Sequence, residues 1–205
     1  MNSPMKVQVG APDALWPASF LIEAGRIRDA LGSNVSELHH IGSTAITGIF
    51  AKPIIDILLV VHNLHLLDDT STNLSSLGYE AMGEFGIPGR RYFRKDSNDG
   101  TRTHQVHSFL RGSPDVERHL AFRDYMNAHP ASAQSYSALK KTLAEAHPNS
   151  IDAYMDGKDS FIKVHEIRAL AWKRRASIGK SSIDLAPCGF EPDHSLSGNV
   201  KHRAP

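Results

Sequence analysis

Apolar positions recur along this chain in two rhythms, and each predicts a different part of the structure. Residues 1–12 read as an extended lead-in, with Val7 and Val9 alternating against Lys6 and Gln8. After Asp13, a helix cap by type, Leu15, Phe20, Ile22, Ile27 and Leu31 roughly follow one helical face, closed by Gly32-Ser33-Asn34. Residues 35–41 read as a short strand. Residues 54–61 form a continuous, largely branched apolar run between Pro53 and His62-Asn63, which predicts a buried central strand. Residues 64–77 read as one helix with Gly78 as its stop. Residues 79–85 and 91–94 read as strands around Gly86-Ile87-Pro88-Gly89. The turn signal Asp96-Ser97-Asn98-Asp99-Gly100 predicts that 92–95 and 103–110 pair as a hairpin.

Past Ser113-Pro114 the rhythm becomes helical throughout. Helices are expected over 116–128, 131–146 and 151–175, broken at His129-Pro130 and His147-Pro148. The order of elements predicts an α+β fold, a β-sheet flanked by helices with a C-terminal helical segment. One domain is expected over 1–176, with its sheet core at about 1–112 and its helical part at about 115–175. From Ser177 onward Gly, Ser, Pro and His dominate, so 177–205 is expected to be a disordered tail.

Composition narrows the function classes. The chain has 205 residues with 40% hydrophobic and 22% charged, enough to bury a core without metals or disulfides. No apolar run reaches the roughly 20 residues of a bilayer span. The start lacks the apolar stretch of a signal peptide, and Cys188 is the single cysteine. A cytoplasmic location and no membrane contact are therefore expected. A formal net charge of +1 offers no general field for nucleic acid, so RNA or DNA is not an expected partner.

Candidate chemistry concentrates between residues 42 and 56. A strand ending in Gly42-Ser43-Thr44 lets backbone and hydroxyl groups approach an anion closely, because glycine has no Cβ to clash. Lys52 adds a point charge. Asp56 then sits inside the apolar run, where an unpaired carboxylate is costly. A divalent cation would relieve that cost, and Mg²⁺ takes one or two carboxylates together with substrate phosphates. This is equipment for phosphoryl or nucleotidyl transfer. Equally, a Gly-Ser turn is common, and Asp56 could be structural, paired with Lys52 or an arginine.

These residues also resemble a known family. Gly42-Ser43, a spacer and a strand bearing an acid resemble the signature of the nucleotidyltransferase fold. More closely, His40-Ile41-Gly42-Ser43-Thr44, Ala51-Lys52-Pro53-Ile54-Ile55-Asp56-Ile57, Arg90-Arg91-Tyr92-Phe93 and Arg102-Thr103-His104-Gln105-Val106-His107 resemble the GrpB family, as do Leu120-Ala121-Phe122-Arg123-Asp124-Tyr125 and Tyr154, Lys158 and Phe161-Ile162. The resemblance covers roughly residues 6 to 170. It implies a nucleotidyltransferase-like mixed sheet and a Mg²⁺-dependent transfer of a nucleoside monophosphate from a nucleoside triphosphate to an unnamed acceptor. It also implies a link to coenzyme A biosynthesis, since the domain is fused to dephospho-CoA kinase in some bacteria. The alternative is a catalytically weak or inactive module that binds a nucleotide or a CoA-like ligand.

Two departures stand out. The fold's usual second acid, two residues after the first, is Leu58 here. The family's usual Thr-Ser-Val-Pro-Gly reads Thr44-Ala45-Ile46-Thr47-Gly48. The expected site is therefore Gly42, Ser43, Thr44, Lys52 and Arg91 for nucleotide phosphates, Asp56 for the metal, and Asp56 with His107 for catalysis. His104 and His107 face opposite ways on a strand, so they do not share one metal. Glu84 is a further candidate carboxylate, and Arg102 a further phosphate clamp. Tyr92 or Phe93 could stack a base, and Tyr136, Lys140 and Lys158 on the C-terminal helices could reach base or phosphate.

Overall fold

The computed structural model describes residues 7–183 of the chain, with side chains through 177. Among them a five-stranded sheet runs in the order β1-β2-β5-β4-β3. Its strands are β1 (Val35–Ile41), β2 (Ile55–Val61), β3 (Tyr79–Ala81), β4 (Arg91–Asp96) and β5 (Arg102–Leu110). β2 pairs antiparallel with β1 and parallel with β5, while β4 pairs antiparallel with both β5 and β3. The sheet is thus mixed, and the fold is the α+β arrangement expected, a β-sheet flanked by helices.

Strand parity divides the sheet into two faces. Ile55, Ile57, Leu59 and Val61 of β2, with Phe93 and Val106, point to a back face. There they pack against Trp16, Ile27 and Leu31 of α1 (Trp16–Leu31), Leu67 of α2 (Leu64–Asp69) and Leu74 of α3 (Ser71–Ser76). Leu58 and Val60 point forward, joining Ile41 and Phe109 beneath Val116 and Leu120 of α4 (Pro114–Ala128). α5 (Pro130–Ala146) and α6 (Ile151–Ile183) stack beyond α4. A second front cluster joins Ile46 and Ile49 of the loop after β1 to Met126, Ala133 and Tyr136.

Several boundaries differ from expectation for local reasons. Asp13 does not cap α1 directly; its carboxylate accepts from Leu15 N–H at 2.8 Å and the helix starts at Trp16. Residues 64–77 are two helices, because Thr70 leaves the helical conformation and its hydroxyl donates to Leu66 O at 2.7 Å. The strand expected over 79–85 ends at Ala81, and the remainder is a loop. Pro114 and Pro130 stand in the first turns of α4 and α5, where the missing N–H costs nothing. α6 continues to Ile183, so the tail expected from 177 is helical for its first seven residues. The rest of that expectation, 184–205, lies outside the described residues. No helix among the described residues is long and apolar enough to cross a membrane.

Candidate functional site

Register builds the centre of the site. Ile41, the last residue of β1, stands opposite Asp56, and Gly42 turns the chain immediately afterwards. Gly42 has a positive φ of 69°, and a Cβ there would lie 2.1 Å from Asp56 Oδ2. Glycine is required twice, by backbone conformation and by space. The room it leaves is taken by the Asp56 carboxylate itself.

The loop after Gly42 is strapped from the front. Asn127 of α4 accepts from Thr47 N–H at 3.0 Å and donates to Ala45 O at 3.1 Å. Ser137 of α5 accepts from Phe50 N–H at 2.9 Å. The Thr47 bond needs an N–H, which a proline at this position would lack. Thr44 is buried and faces inward. Its hydroxyl donates to Ile54 O at 3.0 Å, so at 2.9 Å it must accept from His40 Nε2. Burial pushes the His40 imidazole down to about 4, consistent with this neutral form. Thr44 therefore staples the loop to β2 and is corrected from a phosphate contact to a structural one.

Asp56 opens onto a cleft of about 550 Å³ between the sheet and the start of α6. Ser43, Lys52, Arg90, Tyr92, Arg102 and His107 line its sheet side, and Tyr154 and Lys158 its helical side. The Lys52 and Lys158 amines lie 5.2 Å and 5.0 Å from the centre of the Tyr154 ring. Behind them, Lys140 is 1% exposed, its amine has no hydrogen-bond partner, and it rests 4.5 Å from the Tyr136 ring centre. Burial pulls all three lysines below the usual range, Lys52 to about 8 and Lys140 to about 7, with Lys158 adding like-charge repulsion on both.

Arg91 does not join them. It shares a strand face with Phe93 and forks onto Asp68 of α2 at 2.6 and 2.8 Å, on the back of the sheet. Its expected phosphate role is corrected to a surface ion pair. The arginines that line the cleft are Arg90, Arg94 and Arg102. Arg94 and Arg102 are held by Glu80 and Asp96. Arg90 has no such acid.

Of the three candidates for convergence on Asp56, only His107 arrives. Its Nε2 is 3.7 Å from Asp56 Oδ1. Its Nδ1 is 3.4 Å from Arg90 Nη1. A guanidinium only donates, so Nδ1 accepts and the neutral ring carries its hydrogen on Nε2, toward Asp56. In that state His107 offers no free lone pair to a metal or a proton. At 3.7 Å the Nε2 faces Asp56 from beyond hydrogen-bond distance, so the expected catalytic role of His107 is corrected to that of a neighbour held by Arg90. His104 faces backward, where burial lowers its basicity near Glu23 and Lys95. Glu84 accepts from Gly89 N–H at 2.6 Å and orders its own loop.

Among the residues that line the cleft, the sequence singled out neither Arg90 as a site arginine nor the pairing of Lys52 with Tyr154. Parity was the available signal for the first: Tyr92 and Arg94 share a face with the residues opposite them, Gln105 and His107, and Arg90 extends that row.

With this geometry in place, the relatives can be compared. The family model for the GrpB protein matches residues 6–168. The chain belongs to the GrpB family. A crystal structure of the conserved protein GrpB from Enterococcus faecalis superposes with a TM-score of 0.77 at 43% identity, covering 81% of this chain and 99% of that one. UPF0157 protein YqkA of Bacillus subtilis is 43% identical over 178 residues, which is 87% of this chain and 51% of YqkA. The chain thus spans about half the length of that relative. A dephospho-CoA kinase of Mycolicibacterium paratuberculosis is 28% identical over 81% of this chain and 46% of its own.

Proposed function

We propose that the cleft binds a nucleoside triphosphate and transfers its nucleoside monophosphate group to an acceptor. The observation that carries this reading is the imbalance of charge around Asp56. Lys52, Lys140 and Lys158 gather here, none of them in an ion pair among the described residues; Asp56 acts on Lys52 and Lys158 only through space, one carboxylate for three amines. A buried cation without a counterion is costly unless a ligand supplies one. A polyphosphate supplies several negative charges in a row. In this arrangement Ser43 and Lys52 hold one side of the phosphate chain and Lys158 the other.

Chemically, the acceptor's hydroxyl or amine attacks the α-phosphorus. The new bond to phosphorus forms as the bond to the β-phosphate oxygen breaks. Pyrophosphate departs, and the acceptor's proton leaves to water through the cleft mouth. The lysines stabilise the charge that builds on the departing pyrophosphate.

The fold implies divalent metal, and the residues fit it only in part. Leu58 is 0% exposed in the front core, so the second carboxylate position holds hydrocarbon. No group of three metal-binding side chains exists among the described residues. The donor set suits one Mg²⁺ held by Asp56 and substrate phosphates, not a pair of ions. Bound there, Mg²⁺ would neutralise phosphate charge. Asp56 would hold it, with His107 standing beside that carboxylate.

Leu58 favours a second reading, in which the cleft binds a nucleotide or a CoA-like molecule without transfer. The diphosphate of such a ligand meets the same lysines, and the kinship with dephospho-CoA kinases gives that ligand a context.

Thermal unfolding with each nucleoside triphosphate, with and without Mg²⁺, tests both. Stabilisation of wild type that requires Mg²⁺ and disappears in Asp56→Asn is the expected result. Stabilisation equal in both, with no pyrophosphate released in the presence of any acceptor, would establish the second reading. No stabilisation by any nucleotide or by coenzyme A would end both.

A further inference from the structure

We infer that Arg90 heads a second anion subsite, one that takes the acidic group of the acceptor. The inference rests on the transfer reading above for the word acceptor, but the anion site stands on its own contacts. Arg90 is 7% exposed and lines the cleft. Its Nε donates to Glu84 O at 3.1 Å and its Nη2 to Phe85 O at 2.6 Å. Its planar face lies 5.0 Å from the Tyr92 ring centre. These contacts fix the guanidinium but do not neutralise it. Carbonyls and a ring face supply partial charges only, and no carboxylate of the described residues forms an ion pair with it. Asp115 acts on it only through space, and Arg118 opposes that effect.

The neighbouring arginines make the point by contrast. Arg91, Arg94 and Arg102 each reach a carboxylate. The most buried of the four is the one left without. A buried guanidinium held in place by its own loop is preorganised for a carboxylate or a phosphate. The loop is built around it at a cost. Phe85, a non-glycine residue, has φ 45°, and such a conformation persists where surrounding contacts over-determine it. The Phe85 carbonyl is one of the two that hold Arg90. The Phe85 ring stacks on Tyr92 at 5.2 Å while remaining 60% exposed, and Ile87 continues the apolar wall.

Position defines the ligand class further. Arg90 and Asp56 approach opposite nitrogens of the one His107 ring. An anion on Arg90 is therefore one imidazole away from the centre where phosphate chemistry would occur. That span suits a small molecule whose hydroxyl or amine stands a few bonds from its acid. The acceptor class is a compact hydroxy acid, amino acid or phosphate ester, with a hydrocarbon portion against Phe85 and Ile87.

The test uses the full chain, with tripolyphosphate as probe of the lysine pole. Glycerol 3-phosphate and 3-hydroxybutyrate probe the Arg90 pole, and 1,3-butanediol is the uncharged control. Calorimetry should show wild type binding at least one acid probe and not the diol. Arg90→Gln should weaken that acid at least tenfold while changing tripolyphosphate affinity less than twofold. Lys52→Ala should do the reverse. Which acid binds separates phosphate from carboxylate recognition. Since Arg90→Gln could loosen the loop, the Arg90 guanidinium resonance of wild type is followed during the same titrations and should move with the acid probe. Acid binding unaltered by Arg90→Gln, a guanidinium signal that stays still, or no binding of either acid to wild type would each overturn the inference. Failure of tripolyphosphate alone, with the acids still bound, would remove the nucleotide reading and leave the Arg90 site.

Discussion

The two faces of the sheet treat a buried lysine in opposite ways. On the back, Lys95 places its amine 2.7 Å from Glu23, a carboxylate that is 1% exposed on α1. Arg26 adds a second contact to Glu23 at 3.1 Å. Charge there is closed within the protein, and the surrounding residues form a continuous apolar cluster. On the front, Lys52, Lys140 and Lys158 share the neighbourhood of two tyrosines and one aspartate. A paired buried charge reports on folding, whereas an unpaired group of the same sign reports on something absent from the chain. On the back the lysine's charge is closed by a carboxylate of the protein, and on the front the proposed anion would close it.

Substitutions that separate the faces should differ in kind as well as size. Glu23→Ala strands Lys95 and should cost about 3 kcal/mol, the low end for breaking a buried pair because Lys95 keeps some exposure. Urea unfolding would measure it, and phosphate binding should be untouched. A cost below about 1 kcal/mol would mean that the back pair is not structural. Next in size, Gly42→Ala should lose roughly 1–3 kcal/mol from the backbone conformation. It should also displace Asp56, so Mg²⁺-dependent stabilisation by nucleotide should vanish with it; retention of that stabilisation would contradict the Gly42–Asp56 packing. Lys140→Met on the front should raise stability by on the order of 1 kcal/mol, since it removes an unpaired buried amine. It should lower tripolyphosphate affinity several-fold in the same protein. A variant less stable than wild type would show that the amine is satisfied after all.

A further contrast between the faces lies in pH dependence. The folded values of Lys52, about 8, and Lys140, about 7, lie below the usual 10.5. Between those values and 10.5 the unfolded chain binds more protons than the folded one, so stability without ligand should rise with pH across about 7 to 10.5. Tripolyphosphate favours the protonated amines. Its stabilising effect in a thermal shift series should therefore shrink as pH rises through the same window. A flat profile without ligand would indicate that the front lysines are already compensated.

How far these features were visible in the sequence depended on whether they were local. The apolar run around Asp56 showed a buried strand because both faces of β2 are covered. The turn after Asp96 announced the hairpin, and the two His-Pro steps marked where α4 ends and where α5 begins and ends. The mixed sheet could be foreseen through family resemblance. Arg91 was misread because parity says which residues share a face, but not which face looks into the cleft. That depends on the helices α1 to α3 covering the other side, a long-range fact. Thr44 failed for the opposite reason. Its motif promised an anion contact, yet the hydroxyl is used by Ile54 and His40, and no one-dimensional pattern shows a partner ten residues away across a strand boundary. His107 was expected to act with Asp56, and the shared forward face does bring its Nε2 to 3.7 Å from that carboxylate, short of a hydrogen bond. Its hydrogen-bonding state depended on Arg90, whose burial arises only when the loop closes over it.

The contact between Gly42 and Asp56 also sets a direction for descent. While the aspartate is present, any side chain at position 42 collides with it, so a lineage that keeps the carboxylate keeps the glycine. Should a descendant replace Asp56 with a smaller residue, position 42 becomes open to alanine or serine. Once filled, it bars the aspartate from returning by a single substitution. The turn and the acid behave as a ratchet, and a member of the family with a side chain at 42 would mark a branch that abandoned whatever Asp56 does here.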